Sequence, residues 1–71
     1  MEIIENNLFF SYKKNDLYSI FATIEEEDEN NFEVAIWTDT IHFESDEIKY
    51  TYFNTIEDAK NHIVKQFSNF K

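Results

Sequence analysis

LYSIFATIEEEDENNFEVAIW, residues 17–37, decides how this chain folds. Tyr18, Ile20, Ala22 and Ile24 fall on every second position. After a polar interval, Phe32, Val34 and Ile36 do the same. Period two is the pattern of a strand with one face against a core. The interval Glu26–Asn31 holds no strong strand former and reads as a turn. The stretch is therefore a hairpin, with one strand over Leu17–Glu25 and another beginning at Phe32.

Working outward from it, Leu8, Phe10 and Tyr12 alternate, with Ile4 in phase, and KKND (Lys13–Asp16) supplies a tight turn. Downstream, Ile41 and Phe43 move to odd positions. A one-residue slip would turn core side chains outward, so the pattern predicts a β-bulge over Trp37–Thr40. ESDE (Glu44–Glu47) makes a third turn, and Ile48, Tyr50 and Tyr52 mark a last strand. The period then changes. Thr55 is suited to cap a helix with Asp58 three residues on, and Glu57 and Asp58 suit the positive end of its dipole. Ile56, Ala59, Ile63, Phe67 and Phe70 form one apolar stripe. The expected architecture is α+β, a single domain over 1–71. It is a four-stranded antiparallel β-meander with one C-terminal α-helix packed on one face.

A helix covers one side of a sheet. The covered side should collect Leu8, Phe10, Tyr18, Ile20, Ile24, Phe32, Val34, Ile36, Tyr50 and Tyr52. The other side would carry Phe9, Phe21, Trp37 and Phe53 among smaller and polar residues such as Glu33 and Lys49. Four aromatics on an uncovered face exceed what monomers usually expose. Either the sheet curls over them or the face meets a partner, a second copy of the chain included. Trp37 stands out, because Trp is enriched among residues that dominate binding energy. Its competing role is packing under a curled sheet.

The chain has 71 residues and a formal charge of −9, with 13 Phe, Tyr or Trp residues and no Cys, Gly or Pro. A core this small is marginal, and aromatic bulk is what it has in place of disulfides or thiolate zinc sites. Phosphate loops built on Gly are excluded. Nothing resembles a signal peptide or a membrane span of roughly 20 apolar residues, which points to a soluble, cytoplasmic protein. The charge disfavours nucleic acid and anionic membranes as direct partners and favours basic proteins.

The acids are not evenly spread. No Lys or Arg lies between Lys14 and Lys49, a stretch that holds Asp16, Glu25, Glu26, Glu27, Asp28, Glu29, Glu33, Asp39, Glu44, Asp46 and Glu47. A solvated face that keeps the protein soluble is the plain explanation. Yet five adjacent carboxylates repel one another in a fold with little stability to spare. In an extended chain, alternate carboxylates project on one side at roughly 6–7 Å, similar to successive phosphates along a nucleic-acid strand. Glu25, Glu27 and Glu29 on one side, with Glu26 and Asp28 on the other, form such a row. A calcium loop would need a Gly at its sharp turn and a Glu at its twelfth position, which this run lacks. His42 and His62 stand in no arrangement with a nucleophile or as metal ligands, and no catalytic residue, metal or cofactor is assigned.

In size, charge and architecture the chain resembles the small acidic anti-defence proteins encoded by phages, anti-CRISPR proteins and other nucleic-acid mimics. The features that carry the resemblance are the short single domain, the EEEDE run at 25–29 and the base-free stretch. The resemblance implies an inhibitor acting in the host cytoplasm. It would occupy the basic nucleic-acid-binding surface of a host protein such as a CRISPR effector. Glu25 to Glu29, Glu33, Trp37, Asp39, Glu44, Asp46 and Glu47 would form its contact surface. The alternative is a regulatory or structural module without mimicry, homodimeric through the uncovered sheet face.

Overall fold

The computed structural model describes residues 3–16, 18–40 and 48–69. Five strands and one helix follow in order: β1 (Ile4–Asn6), β2 (Phe9–Lys13), β3 (Tyr18–Asp28), β4 (Asn31–Thr40), β5 (Lys49–Phe53) and α1 (Ile56–Asn69). The strands form one antiparallel sheet in the order β1-β2-β3-β4-β5. The α+β meander with a C-terminal helix stands, with one strand more than expected. No helix among the described residues is long and apolar enough to cross a membrane.

The extra strand comes from the first segment, which folds back on itself. Asn6 pairs with Phe9, so Asn7 and Leu8 alone make the turn, and both take positive φ, 50° and 65°. Two successive left-handed residues are what a two-residue hairpin of this hand requires. Such turns normally advertise themselves with Gly, and this chain has none. The reversal also changes the phase of Ile4, which lies opposite Ser11 and is 63% exposed. The turn before β3 is held by backbone and side chains together. The Tyr18 amide donates to Asn15 Oδ1 (3.1 Å), the Lys14 amide donates to the Tyr18 carbonyl (3.0 Å), and Lys13 pairs with Asp16 (3.3 Å).

The central hairpin is longer than its sequence announces. β3 runs on through Asp28, and β4 begins at Asn31, leaving Glu29 and Asn30 as the tip. Asn30 takes φ 59°, a left-handed position that Asn tolerates better than most residues. Glu26, Glu27 and Asp28 therefore belong to a strand and not to a turn. The register shift lies here too, between Glu26 and Asp28. No bulge occurs over Trp37–Thr40, where β4 pairs in unbroken register with β3 as far as Thr40. The inference of a bulge there rested on Ile41 and Phe43, which lie outside the described residues.

The core is a single layer between helix and sheet. Phe10, Ile20, Ala22, Ile24, Phe32 and Val34 meet Ala59, Ile63 and Phe67, all buried, and no polar side chain is buried among the described residues. The helix crosses β3, β4 and β5. Its start is fixed as expected, with the Asp58 amide donating to Thr55 Oγ1 (3.1 Å) and Glu57 and Asp58 in the first turn. Ile56, placed on the stripe, is 39% exposed at the helix start, and Phe70 falls outside the described residues. Lys60 on the helix reaches Glu5 of β1 at 3.2 Å.

β5 carries the largest correction. Phe53 pairs with Phe32 and Thr51 with Val34, so these two and Lys49 share the helix side. Phe53 packs against the core, and its ring lies 5.0 Å from that of His62. Tyr50 and Tyr52 point the other way, opposite Ala35 and Glu33, and are 55% and 56% exposed. Tyrosine is amphipathic and fits either face, so alternation in KYTYF has no unique phase. Tyr18 has the core-side parity but sits at the strand end, 41% exposed.

Candidate interaction face

The side of the sheet away from α1 is uncovered, and register assigns its residues in rows. One row runs Ser11, Phe21, Trp37. The next runs Phe9, Thr23, Ala35, Tyr50. The third sets Glu25 opposite Glu33 and Glu33 opposite Tyr52. Phe21 and Trp37 stack at 5.7 Å between centroids with 25° between planes. Phe9 leans onto both, tilted against Phe21 (6.0 Å) and edge-on to Trp37 (6.3 Å). Phe21 and Trp37 are half-buried by this mutual packing, whereas Phe9 is 41% exposed. The three rings make a secondary cluster that remains open to solvent.

Two rows along, the face turns acidic. Carboxylate oxygens of Glu25, Glu27 and Glu33 lie within 4.8 Å of one another. The bulge contributes to this convergence: Glu27 is the extra residue between the pairs Glu26–Phe32 and Asp28–Asn31. Glu33's negative charge is the chief reason the Glu27 carboxyl is held above its ordinary range. Desolvation, Glu25, a hydrogen bond with Glu33 and Asp28 follow. Tyr52 Oη donates to Glu33 Oε2 at 2.9 Å. That bond, and then Glu33's charge, raise the phenol above its ordinary value. The trio offers three oxygens on an open surface, about half of what a Ca²⁺ ion takes at minimum.

The residues singled out from sequence thus divide. Glu25, Glu27 and Glu33 come together, with Trp37 on the same face. Glu26 pairs with Phe32 on the helix side, and Asp28 and Glu29 lie at the hairpin tip. The expected row of Glu25, Glu27 and Glu29 is therefore a cluster that has Glu33 in place of Glu29. Asp39 shares the face but stands six residues from Glu33, about 20 Å away. Glu44, Asp46 and Glu47 lie outside the described residues, as does His42. Tyr50 and Tyr52 belong to the face and were not anticipated there. The one signal for them was Phe53, the last apolar residue before the helix, which competes with the tyrosines for the core. His62 rests on Phe53 at the core's edge, where burial first and Lys65 second lower its basicity.

The acidic end has a second physical property. The β2–β3 register ends at Phe9–Thr23, so Glu25, Glu26 and Asp28 pair with β4 alone. Charged side chains along such an edge discourage pairing with another strand. Comparison with protein-family models, with curated proteins and with solved structures finds no match for this chain.

Proposed function

We propose that this protein is an acidic binding module that inhibits a host protein by occupying its cationic, nucleic-acid-binding surface. One observation carries the reading: three converging carboxylates share, two rows apart from the Phe21–Trp37 stack, the sheet face that the helix leaves bare. The carboxylates supply attraction to a basic groove, and Trp37 with its neighbours supplies apolar anchorage. A formal charge of −9 extends the attraction beyond contact range and makes it salt-sensitive. Action in the cytoplasm, on a CRISPR effector or another nucleic-acid-binding protein, belongs to the same proposal. It assigns no catalytic step, cofactor or metal.

The test is a pull-down from host lysate at graded salt, analysed by mass spectrometry, with duplex DNA as competitor. Nucleic-acid-binding proteins should elute with salt and be displaced by the duplex. They should be lost with the triple variant Glu25→Lys, Glu27→Lys, Glu33→Lys. If the variant retains them as well as the parent does, mimicry is lost.

A second reading, homodimerisation through the same face, is favoured by the exposure of Ile4, Phe9, Tyr50 and Tyr52 together on it. Each copy brings the same net negative charge, so a dimer would tighten with salt. Sedimentation at low and high salt separates the two: a monomer at high micromolar concentration in both removes the dimer.

A further inference from the structure

We infer that β5 is the seam of a weak homodimer, in which the free edges of two copies pair antiparallel about Thr51 and join their sheets into one. The hydrogen-bond ladder places that edge. The Ile24 amide donates to the Leu8 carbonyl (3.0 Å), which continues the β2–β3 register by one step. Ile24 therefore turns its backbone polar groups towards β2, and Thr23 and Glu25 turn theirs towards β4. Carrying the alternation through the pairs Thr23–Ala35 and Val34–Thr51 leaves Lys49, Thr51 and Phe53 bonded to β4. Tyr50 and Tyr52 then direct their N–H and C=O groups away from the sheet, where none of the described strands pairs with them.

The two edges of the sheet differ. β1 is three residues long, and its Glu5 is tied to Lys60 of α1 (3.2 Å), which blunts it. β5 is KYTYF, a run of strand formers behind one Lys, with no acid, Pro or bulge. A second copy fits this edge. Antiparallel pairing centred on Thr51 sets Tyr50 of each copy opposite Tyr52 of the other, so every outward N–H meets an outward C=O. The same register pairs the tyrosine rings across the seam on the open face and lays the Lys49 stem over Phe53 on the helix side. It also suits the charge. Among the described strands the acid nearest this edge is Glu33, one strand in. The two copies of Glu33 thus stand three strand spacings apart, roughly 14 Å, beyond a screening length of about 8 Å. A five-residue seam falls short of a stable dimer interface, so the dimer is transient and needs trapping.

The experiment traps the pair. Thr51 meets its own copy as a non-hydrogen-bonded pair, with Cα atoms about 4.5 Å apart, inside the range a disulfide spans. The chain has no Cys, so Thr51→Cys reports that encounter alone. In oxidised glutathione it should form a disulfide-linked dimer at least about tenfold faster than Val64→Cys, at a residue 47% exposed on α1. Adding Tyr50→Pro should bring it down to the Val64→Cys rate, because the lost N–H belongs to the seam and the β4–β5 ladder keeps its bonds. Equal rates for Thr51→Cys and Val64→Cys, or a rate untouched by Tyr50→Pro, overturn the seam. Ile4→Cys, at a residue 63% exposed on the open face, overturns it in favour of face-to-face pairing if it links faster than Thr51→Cys. Should Thr51→Cys fail to fold, hydrogen exchange of the parent decides. The Tyr50 and Tyr52 amides should exchange more slowly as protein concentration rises, and exchange that is the same at every concentration overturns the seam. The lysate experiment reads the open face, which this dimer leaves bare, so either inference can fail without the other.

Discussion

Removing the ring of Phe67 tests whether the helix is docked where the core requires it. Phe67 is fully buried, the largest such side chain, and it enters the layer from the last turns of α1. A buried Phe→Ala change costs about 3–5 kcal/mol, combining lost transfer energy with the cavity left behind. A chain of this length has only about 4–11 kcal/mol in total. Phe67→Ala should therefore consume from about a quarter of the stability to all of it. With each kcal/mol moving the midpoint by about 4–8 °C in a domain this size, Tm should fall by roughly 12–40 °C. Ile63→Val, also in the fully buried layer, is the milder probe, at about 0.5–1.5 kcal/mol. Val64→Ala, 47% exposed on the same helix, should stay within about 0.5 kcal/mol of the parent. Urea unfolding followed by Trp37 fluorescence and far-ultraviolet circular dichroism reads all three, and Trp37 lies across the sheet from the substituted residues. The urea dependence should keep its slope while the midpoint moves. A Phe67→Ala protein within about 1 kcal/mol of the parent would refute the docking, because no cavity could then have formed.

Thr55→Ala should cost about 1 kcal/mol through loss of the bond to the Asp58 amide, seen as a lower urea midpoint, with Thr55→Ser close to the parent. Leu8, at φ 65°, combines a strained backbone with a side chain packed on the core. Leu8→Gly should change stability by less than about 1 kcal/mol as relief offsets lost packing, while the β-branched Leu8→Val should cost more. Glu27's carboxyl is raised in the folded protein, so the folded state binds the proton more readily than the unfolded chain does. The resulting penalty is present at neutral pH and disappears as pH falls through the raised value towards 4.5. Glu27→Gln should accordingly raise Tm at pH 7 and have no such effect at pH 4, and added salt should raise the parent's Tm more than the variant's. Ultraviolet titration should place one tyrosine above the usual phenol range in the parent, and Tyr52→Phe should remove it.

Legibility in the sequence followed physical uniqueness. Ile20, Ala22, Ile24, Phe32 and Val34 fall on every second position, and with Ser19, Thr23, Glu25 and Glu33 between or beside them one face is the better core in spite of Phe21. Thr55 and the stripe of Ala59, Ile63 and Phe67 were equally unambiguous. The Asn7–Leu8 reversal was hidden, because Asn7 tolerates a left-handed position but Leu8 gives no sign of a second one. Tyr50 and Tyr52 were misplaced because a tyrosine satisfies either side of a sheet. The acidic cluster was half legible: the charges were plain, but their convergence depends on a bulge and a cross-strand partner, Glu33, that no local pattern specifies.

Every strand of this sheet pairs with its neighbour in sequence, and the longest ladder, β3 with β4, closes through Glu29 and Asn30 alone. Short closures lose little chain entropy, and folds made of them assemble quickly. The natural starting point for folding is thus the hairpin whose closing end carries the mutually repelling carboxylates. Repulsion at that end slows the first step of assembly. Salt, acid or a bound cation should hasten folding by easing the first pairing step.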